Sequence, residues 1–277
     1  MLLEDKVVVV TGASRGLGAG LARRLAREGA SVGLVARDEA LLSGLADEIR
    51  DAGGVAFPVA CDVTSNQDVE QMAAAVLKEF GRADVLINNA GALTFGSFLE
   101  ETDEEWDHML EVNLNSARRV TRAFLPAMLD AGSGKVIFVS SNAAKKGFVN
   151  DAGYSCAKAG LMALTRVLAV EYGTRGIDVH CVLPGLIAET DLGQSVVDDH
   201  VERFAGTREA FDAWANPLSP KGFHPTVDSI VDVLTFLSAG AVAVALGSSL
   251  VQSTDDLDGL RSRARAAVTA AHGPSGQ

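Results

Sequence analysis

Long apolar runs, basic clusters and a cysteine framework are what this 277-residue chain lacks. Nothing approaches the roughly eighteen uninterrupted apolar residues of a membrane-spanning helix, which excludes a span. Lys and Arg total 24 against 36 Asp and Glu, a formal net charge of −12, and nowhere do they gather into a nucleic-acid footprint. The three cysteines, Cys61, Cys156 and Cys181, are odd in number and far apart, which argues against both a disulfide framework and a zinc site. The five histidines are as scattered, so no metal is expected. Met1-Leu2-Leu3-Glu4-Asp5-Lys6 has none of the basic start, apolar stretch and small-residue cleavage site of a signal peptide, so the expected location is cytoplasmic.

What is present is a rhythm. Short β-branched runs alternate with longer helical patterns: Val7–Val10 then Leu17–Arg27, Ser31–Ala36 then Glu39–Arg50, Ala56–Ala60 then Gln67–Phe80. Val85–Ile87 then Glu104–Met128, Lys135–Ser140 then Ala157–Tyr172, and Asp178–Leu183 continue it. The strands are near-continuous apolar runs, as in a parallel sheet covered on both faces. The expected fold is α/β, a single-domain, doubly wound Rossmann-type parallel sheet with helices on both faces. It should occupy residues 1–260. After Pro184-Gly185 the rhythm breaks, and residues 186–224 form a polar insertion, either a substrate lid or a small helical subdomain that covers apolar surface. A final helix is expected over Val227–Leu237, a strand near Ser249–Val251, and a fraying tail over residues 261–277.

Two constellations carry chemistry. Thr11-Gly12-Ala13-Ser14-Arg15-Gly16-Leu17-Gly18 follows the first strand and opens the first helix, where Gly12, Gly16 and Gly18 let backbone approach a pyrophosphate and the helix start offers N–H donors. After the second strand stands Val35-Ala36-Arg37-Asp38; Ala36 cannot bond a ribose 2′-hydroxyl, whereas Arg37 and Arg15 offer two guanidinium groups to a 2′-phosphate. That favours NADP(H) over NAD(H). Asp62, in Cys61-Asp62-Val63, either accepts from the adenine amino group or caps the next helix. The second constellation is Tyr154 and Lys158, four residues apart and therefore on one helix face. An ammonium beside a phenol should draw its pKa down from ~10. Cys156, pointing elsewhere on the same helix, is expected in the core.

The ordered set of the Gly-rich turn, Asn88-Asn89-Ala90-Gly91, Asn113, Ser141, Tyr154-x-x-x-Lys158 and Pro184-Gly185 resembles the classical short-chain dehydrogenase/reductase family over about the first 185 residues. The resemblance implies that Tyr154 donates a proton to a substrate carbonyl as hydride arrives from nicotinamide, and that Ser141, rather than Ser140, holds the same oxygen. Lys158 would bond the nicotinamide ribose and lower the pKa of Tyr154. Asn113 would hold a water of a proton relay; its plainer reading is a helix-interior amide bonded to neighbouring backbone. The cofactor would also meet Ser14, Leu17, Asp62, Val63, Asn89, Ala90, Gly91, Pro184, Gly185 and Ile187, with Thr190 offering a hydroxyl.

The family's usual closing strand has a poor counterpart in Gly247 to Gly259, GSSLVQSTDDLDG. The Tyr154 helix is apolar around much of its circumference, which suits a homodimer or homotetramer. Leu93, Phe95, Asn142, Phe148, Asn150, Leu186, Phe204 and Trp214 are candidate pocket residues for a small-molecule ketone of alicyclic, aromatic or acyl type. Lys145 and Lys146 either attract an anionic substrate or belong to a solvated loop. The leading expectation is NADPH-dependent carbonyl reduction to an alcohol. Dehydration or epimerisation through a keto intermediate, and a non-catalytic NADP-sensing protein, are the alternatives; a sensor has no use for an activated phenol.

Overall fold

The computed structural model describes residues 1–215 and 225–239. The expected strand near Ser249–Val251 and the tail at 261–277 lie outside them. The chain divides between Gly185 and Leu186 into two compact units.

The first unit is a six-stranded, wholly parallel sheet in the order β3-β2-β1-β4-β5-β6. The strands are β1 Val7–Thr11, β2 Ser31–Ala36, β3 Val55–Ala60, β4 Val85–Asn88, β5 Gly134–Val139 and β6 Ile177–Val182. Order reverses between β1 and β4, which pair through Val8 with Val85 and Val10 with Ile87. Such a switch opens a crevice beyond the carboxyl ends of the strands, where Thr11, Asn88 and Val139 end.

Helices α1 Gly16–Arg27, α2 Glu39–Asp51, α3 Asn66–Phe80, α4 Asp103–Leu110, α5 Ser116–Asp130 and α6 Ala152–Tyr172 connect the strands. Val9 joins a cluster with Val69, Met72 and Val76 of α3, Val120 and Phe124 of α5 and Leu161 of α6. Its neighbours Val8 and Val10 point to the other face and are also fully buried, so both faces of the sheet are covered. Burying one such valine contributes about 1.5–3 kcal/mol, which is why these strands are apolar throughout.

Local chemistry sets the helix limits. Asp38, Ser65 and Thr102 accept from Leu41, Asp68 and Glu105 main-chain N–H groups and so cap α2, α3 and α4. Gly81, at φ +73°, ends α3 in the left-handed conformation. The helix expected to run unbroken from Glu104 to Met128 is interrupted by a π turn at Glu111–Asn115, where the Ser116 N–H reaches the Glu111 carbonyl. Helix α6 starts at Ala152, five residues before its expected start at Ala157, and Tyr154 sits in its first turn.

The second unit holds α7 Asp191–His200, a π turn at Val201–Ala205, α8 Arg208–Ala215 and α9 Val227–Ser238. Val197 and Phe211 form its small core with Leu186, Ala188, Val201 and Ala205. Thr190 caps α7, accepting from Gly193 N–H at 3.0 Å while donating to the Ile187 carbonyl at 2.9 Å. Its hydroxyl therefore has a local structural use.

Candidate active site

The turn after β1 is built against the end of β4. Asn89 Nδ2 donates to the Thr11 and Gly12 carbonyls at 3.0 and 3.3 Å, and Asn89 and Ala90 N–H groups both reach Thr11 Oγ1. Gly12 has φ +66°, and a Cβ there would meet Ala90 Cα at 2.9 Å. At Gly18 a Cβ would fall 2.1 Å from the Gly12 carbonyl oxygen. No side chain caps α1 at Arg15, and its first turn carries no acidic residue, unlike those of α2, α3 and α4. The helix dipole and N–H groups that lack intrahelical partners therefore face a cradle a side chain would fill, which fits a pyrophosphate.

Arg15 and Arg37 are exposed, the one at the turn, the other directly after β2. Asp62 Oδ1 accepts from Thr64 N–H at 2.9 Å and Thr64 Oγ1 at 2.7 Å. The bond from Thr64 N–H is the chief reason the Asp62 carboxyl stays below its ordinary range. Ser65 caps α3, so the capping alternative for Asp62 does not hold.

At the other end of the crevice, Tyr154 and Lys158 project from one face of α6, 9% and 4% exposed, with Lys158 Nζ 5.5 Å from the phenol ring centre. Lys158 Nζ donates to the Val139 carbonyl at 3.1 Å. Ser141 stands beside the Tyr154 hydroxyl and acts to lower its pKa, while its own hydroxyl donates to Asn142 Oδ1 at 3.3 Å. Ser141 also accepts from Ala143 N–H at 3.2 Å, which fixes its side chain at the start of a short 3₁₀ turn over Asn142–Ala144. The neighbouring Ser140 hydroxyl is instead committed to the Lys158 main-chain carbonyl at 2.8 Å.

The electrostatics reverse one expectation. Burial raises the Tyr154 pKa, outweighing the effect of Ser141, and the Asp151 charge adds to the rise. Burial also pushes the Lys158 ammonium down to about 8.

Asn113 is buried in the middle of the π turn. Its Nδ2 donates to the Ala92 and Met109 carbonyls at 2.9 and 3.1 Å, and its Oδ1 accepts from Ala92 N–H at 3.2 Å. The backbone-satisfying reading of this amide is thus realised. A Cβ on Gly91 would meet Asn113 Oδ1 at 2.8 Å and Lys158 Nζ at 3.3 Å, so both groups border Gly91. An amide oxygen accepts two bonds and Ala92 supplies one, which leaves capacity for a water.

Met109, Ala143 and Tyr154 pack with Ala92, Leu93 and Phe148, forming an apolar wall beside the phenol. The Asn142 N–H donates to the Pro184 carbonyl at 2.8 Å and ties the wall to the strand β6 exit. Gly185 ends this unit, whereas Ile187 and Leu186 begin the second. The side chains of Phe204 and Trp214 lie outside the described residues. Lys145 and Lys146 are exposed. Cys156 is exposed on α6, not packed in the core as expected, because the helix turns that position away from the sheet.

Sequence reasoning missed three groups near these residues. Asp151, three residues before Tyr154, is buried and bonded to Ser155 Oγ at 2.9 Å. Glu111 and Arg119 are joined at 2.5 Å. Spacing alone hid the pair, since the π turn rotates α5 relative to α4.

Among the described residues no helix is long and apolar enough to cross a membrane, and no group of three or more His, Cys, Asp and Glu suits a metal ion. The family model described as short chain dehydrogenase matches residues 6–201. A 3-oxoacyl-(acyl-carrier-protein) reductase, FabG, of Vibrio cholerae is 34% identical over 239 residues, 83% of this chain and 96% of that protein. Among solved structures, a single-substitution variant of actinorhodin polyketide ketoreductase with NADPH superposes with TM-score 0.81 at 34% identity, covering 90% of this chain and 95% of the other. An NAD+-bound xylitol dehydrogenase also reaches 0.81, at 26% identity over 85% and 93% of the two chains.

Proposed function

Because the chain belongs to the short chain dehydrogenase family, a family of nicotinamide-dependent oxidoreductases, we propose that it reduces a ketone or 3-oxoacyl carbonyl to an alcohol with NADP(H) and with Tyr154 as proton donor. The observation that carries the reading is the pairing of Tyr154 with a buried Lys158 on one face of α6, with Ser141 beside the phenol and a glycine cradle shaped for pyrophosphate after β1.

Bound nicotinamide supplies the hydride. Ser141 orients the substrate carbonyl oxygen, and Tyr154 gives that oxygen its proton. Burial keeps the phenol protonated at neutral pH, which suits an acid waiting to donate. Lys158, whose ammonium titrates at about 8, then stabilises the phenolate and passes a proton toward it through a water held at Asn113. Gly12, Ser14, Gly16, Leu17 and Gly18 hold the pyrophosphate by main-chain donors. Arg15 and Arg37 clamp the 2′-phosphate. Asp62 and Val63 meet the adenine, Asn89, Ala90 and Gly91 the ribose, and Pro184 and Gly185 the nicotinamide side.

Exposed Val167 and Val170 on α6, 50% and 84% accessible, support a homo-oligomer assembled through that helix, a dimer at the least. The apolar wall of Leu93, Ala143 and Phe148 favours an uncharged ketone or acyl substrate. The test is loss of NADPH absorbance across a panel of alicyclic, aromatic and 3-oxoacyl carbonyl compounds. A panel with no turnover, alongside failure to bind NADPH, overturns the reading.

A further inference from the structure

Arg119, the fourth residue of α5, holds three elements at once. Its Nη1 donates to the Val63 carbonyl at 3.0 Å, its Nε to Asn66 Oδ1 at 2.5 Å and its Nη2 to Glu111 Oε1 at 2.5 Å. Val63 follows Asp62 on the loop after β3, Asn66 is the first residue of α3, and Glu111 is the first residue of the π turn. The second carboxylate oxygen of Glu111 accepts from Asn115 Nδ2, the last residue of that turn, at 2.8 Å. One guanidinium and one carboxylate therefore pin both ends of the π turn, with Asn113 at its centre, to the loop that carries Asp62 and Val63.

The Arg119 contacts to Val63 and Glu111 are partly buried, whereas that to Asn66 is exposed. The Arg119 side chain is 14% and that of Glu111 33% exposed. Burial works to raise the Glu111 carboxyl, yet the bonds from Asn115 and Arg119 outweigh it and hold the group below its ordinary range. A guanidinium donates from a planar, fixed fork, so displacing the Val63 carbonyl displaces the fork and with it Glu111. Such π turns inside helices are rare and frequently stand at functional sites. Beyond it, Asn113 borders Gly91 together with Lys158 Nζ.

We infer that Arg119 and Glu111 are positioning residues that couple the adenine end of the cofactor cleft to the catalytic end, so that docking of the adenylate half sets the π turn and activates a reaction it does not touch. The inference rests on the functional reading above. The coupling requires that the adenylate bind better to one arrangement of the π turn than to another.

The test supplies the cofactor in two pieces to the full-length protein: reduced nicotinamide mononucleotide as hydride source, and adenosine 2′,5′-bisphosphate at saturation, confirmed by calorimetry. In the unaltered chain the bisphosphate should raise kcat with the mononucleotide about tenfold. In Arg119→Met and in Glu111→Gln the bisphosphate still saturates but the stimulation ratio falls to near one, and Arg119→Lys restores part of it. A merely structural clamp lowers the melting temperature and leaves the ratio intact. If Arg119→Met does not fold, the isosteric Glu111→Gln decides alone. Turnover of NADPH with no stimulation by the bisphosphate, or stimulation that persists in the variants, overturns the inference. Failure to turn over NADPH at all overturns the functional reading and the inference with it.

Discussion

The Ser140 hydroxyl donates to the main-chain carbonyl of Lys158 at 2.8 Å, so the two adjacent serines after β5 have separate tasks. Ser140 fastens α6 to the strand end; Ser141 meets the Tyr154 hydroxyl. Ser140→Ala should cost about 1 kcal/mol of stability, the usual net worth of a buried hydrogen bond, and leave turnover near that of the unaltered chain. Ser141→Ala should lose roughly 10²-fold in kcat with little change in melting temperature. Urea titration and steady-state kinetics on the pair check the division, and the reverse pattern would reassign the two hydroxyls.

Tyr154→Phe removes the proton donor and keeps the ring in its apolar setting of Met109 and Ala143. Turnover should fall by roughly 10²–10⁴, the span of general acid catalysis, while NADPH affinity by fluorescence titration changes little. Retained turnover would refute the assignment.

Arg37 stands exposed directly after β2, with Ala36 before it unable to receive a ribose hydroxyl. Arg37→Asp should shift the ratio of kcat/KM for NADPH over NADH by about tenfold or more toward NADH, the scale of one charge-assisted hydrogen bond. An unchanged ratio removes the 2′-phosphate clamp.

Burial raises the Asp151 carboxyl to about 6, against bonds from Ser155 and the Phe148 N–H and with the charge of Glu101 adding to the rise. The folded state thus holds this proton more tightly than the unfolded chain, whose carboxyl keeps the ordinary value of 3.8. Stability from this group is fully present below that ordinary value and is lost as the pH rises through about 6. Asp151→Asn, which cannot ionise, should therefore gain on the unaltered chain by about 3 kcal/mol between acid and neutral pH, the free-energy equivalent of raising the carboxyl from 3.8 to about 6. Denaturant melts of both proteins at the two pH values measure it; a difference constant with pH would sink the idea.

Much of this was legible in the residues because the relevant signals are local. Apolar runs such as Val7–Val10 fit only a sheet covered on both faces, and the Tyr154–Lys158 interval places both groups on one helix face. Interruptions were not legible. Glu104–Met128 has a helical pattern throughout, and nothing in its periodicity marks the extra residue that makes Glu111–Asn115 a π turn. The exposure of Cys156 is not legible because an apolar helix does not announce which of its faces meets the sheet. The rise in the Tyr154 pKa is not legible either, because the four-residue interval to Lys158 shows the charge but not the burial that makes a phenolate costly at 9% exposure. Contacts distant in sequence, such as Arg119 with Asn66, leave no local trace.

The uneven chemistry of the three thiols equips this chain with an optical handle. Cys61 is pushed up to about 12 and Cys181 is also raised, chiefly by burial, so a maleimide dye at neutral pH should react first at Cys156. That places a single reporter two residues from Tyr154, and its labelling rate as a function of protein concentration shows whether another copy of the chain shields it.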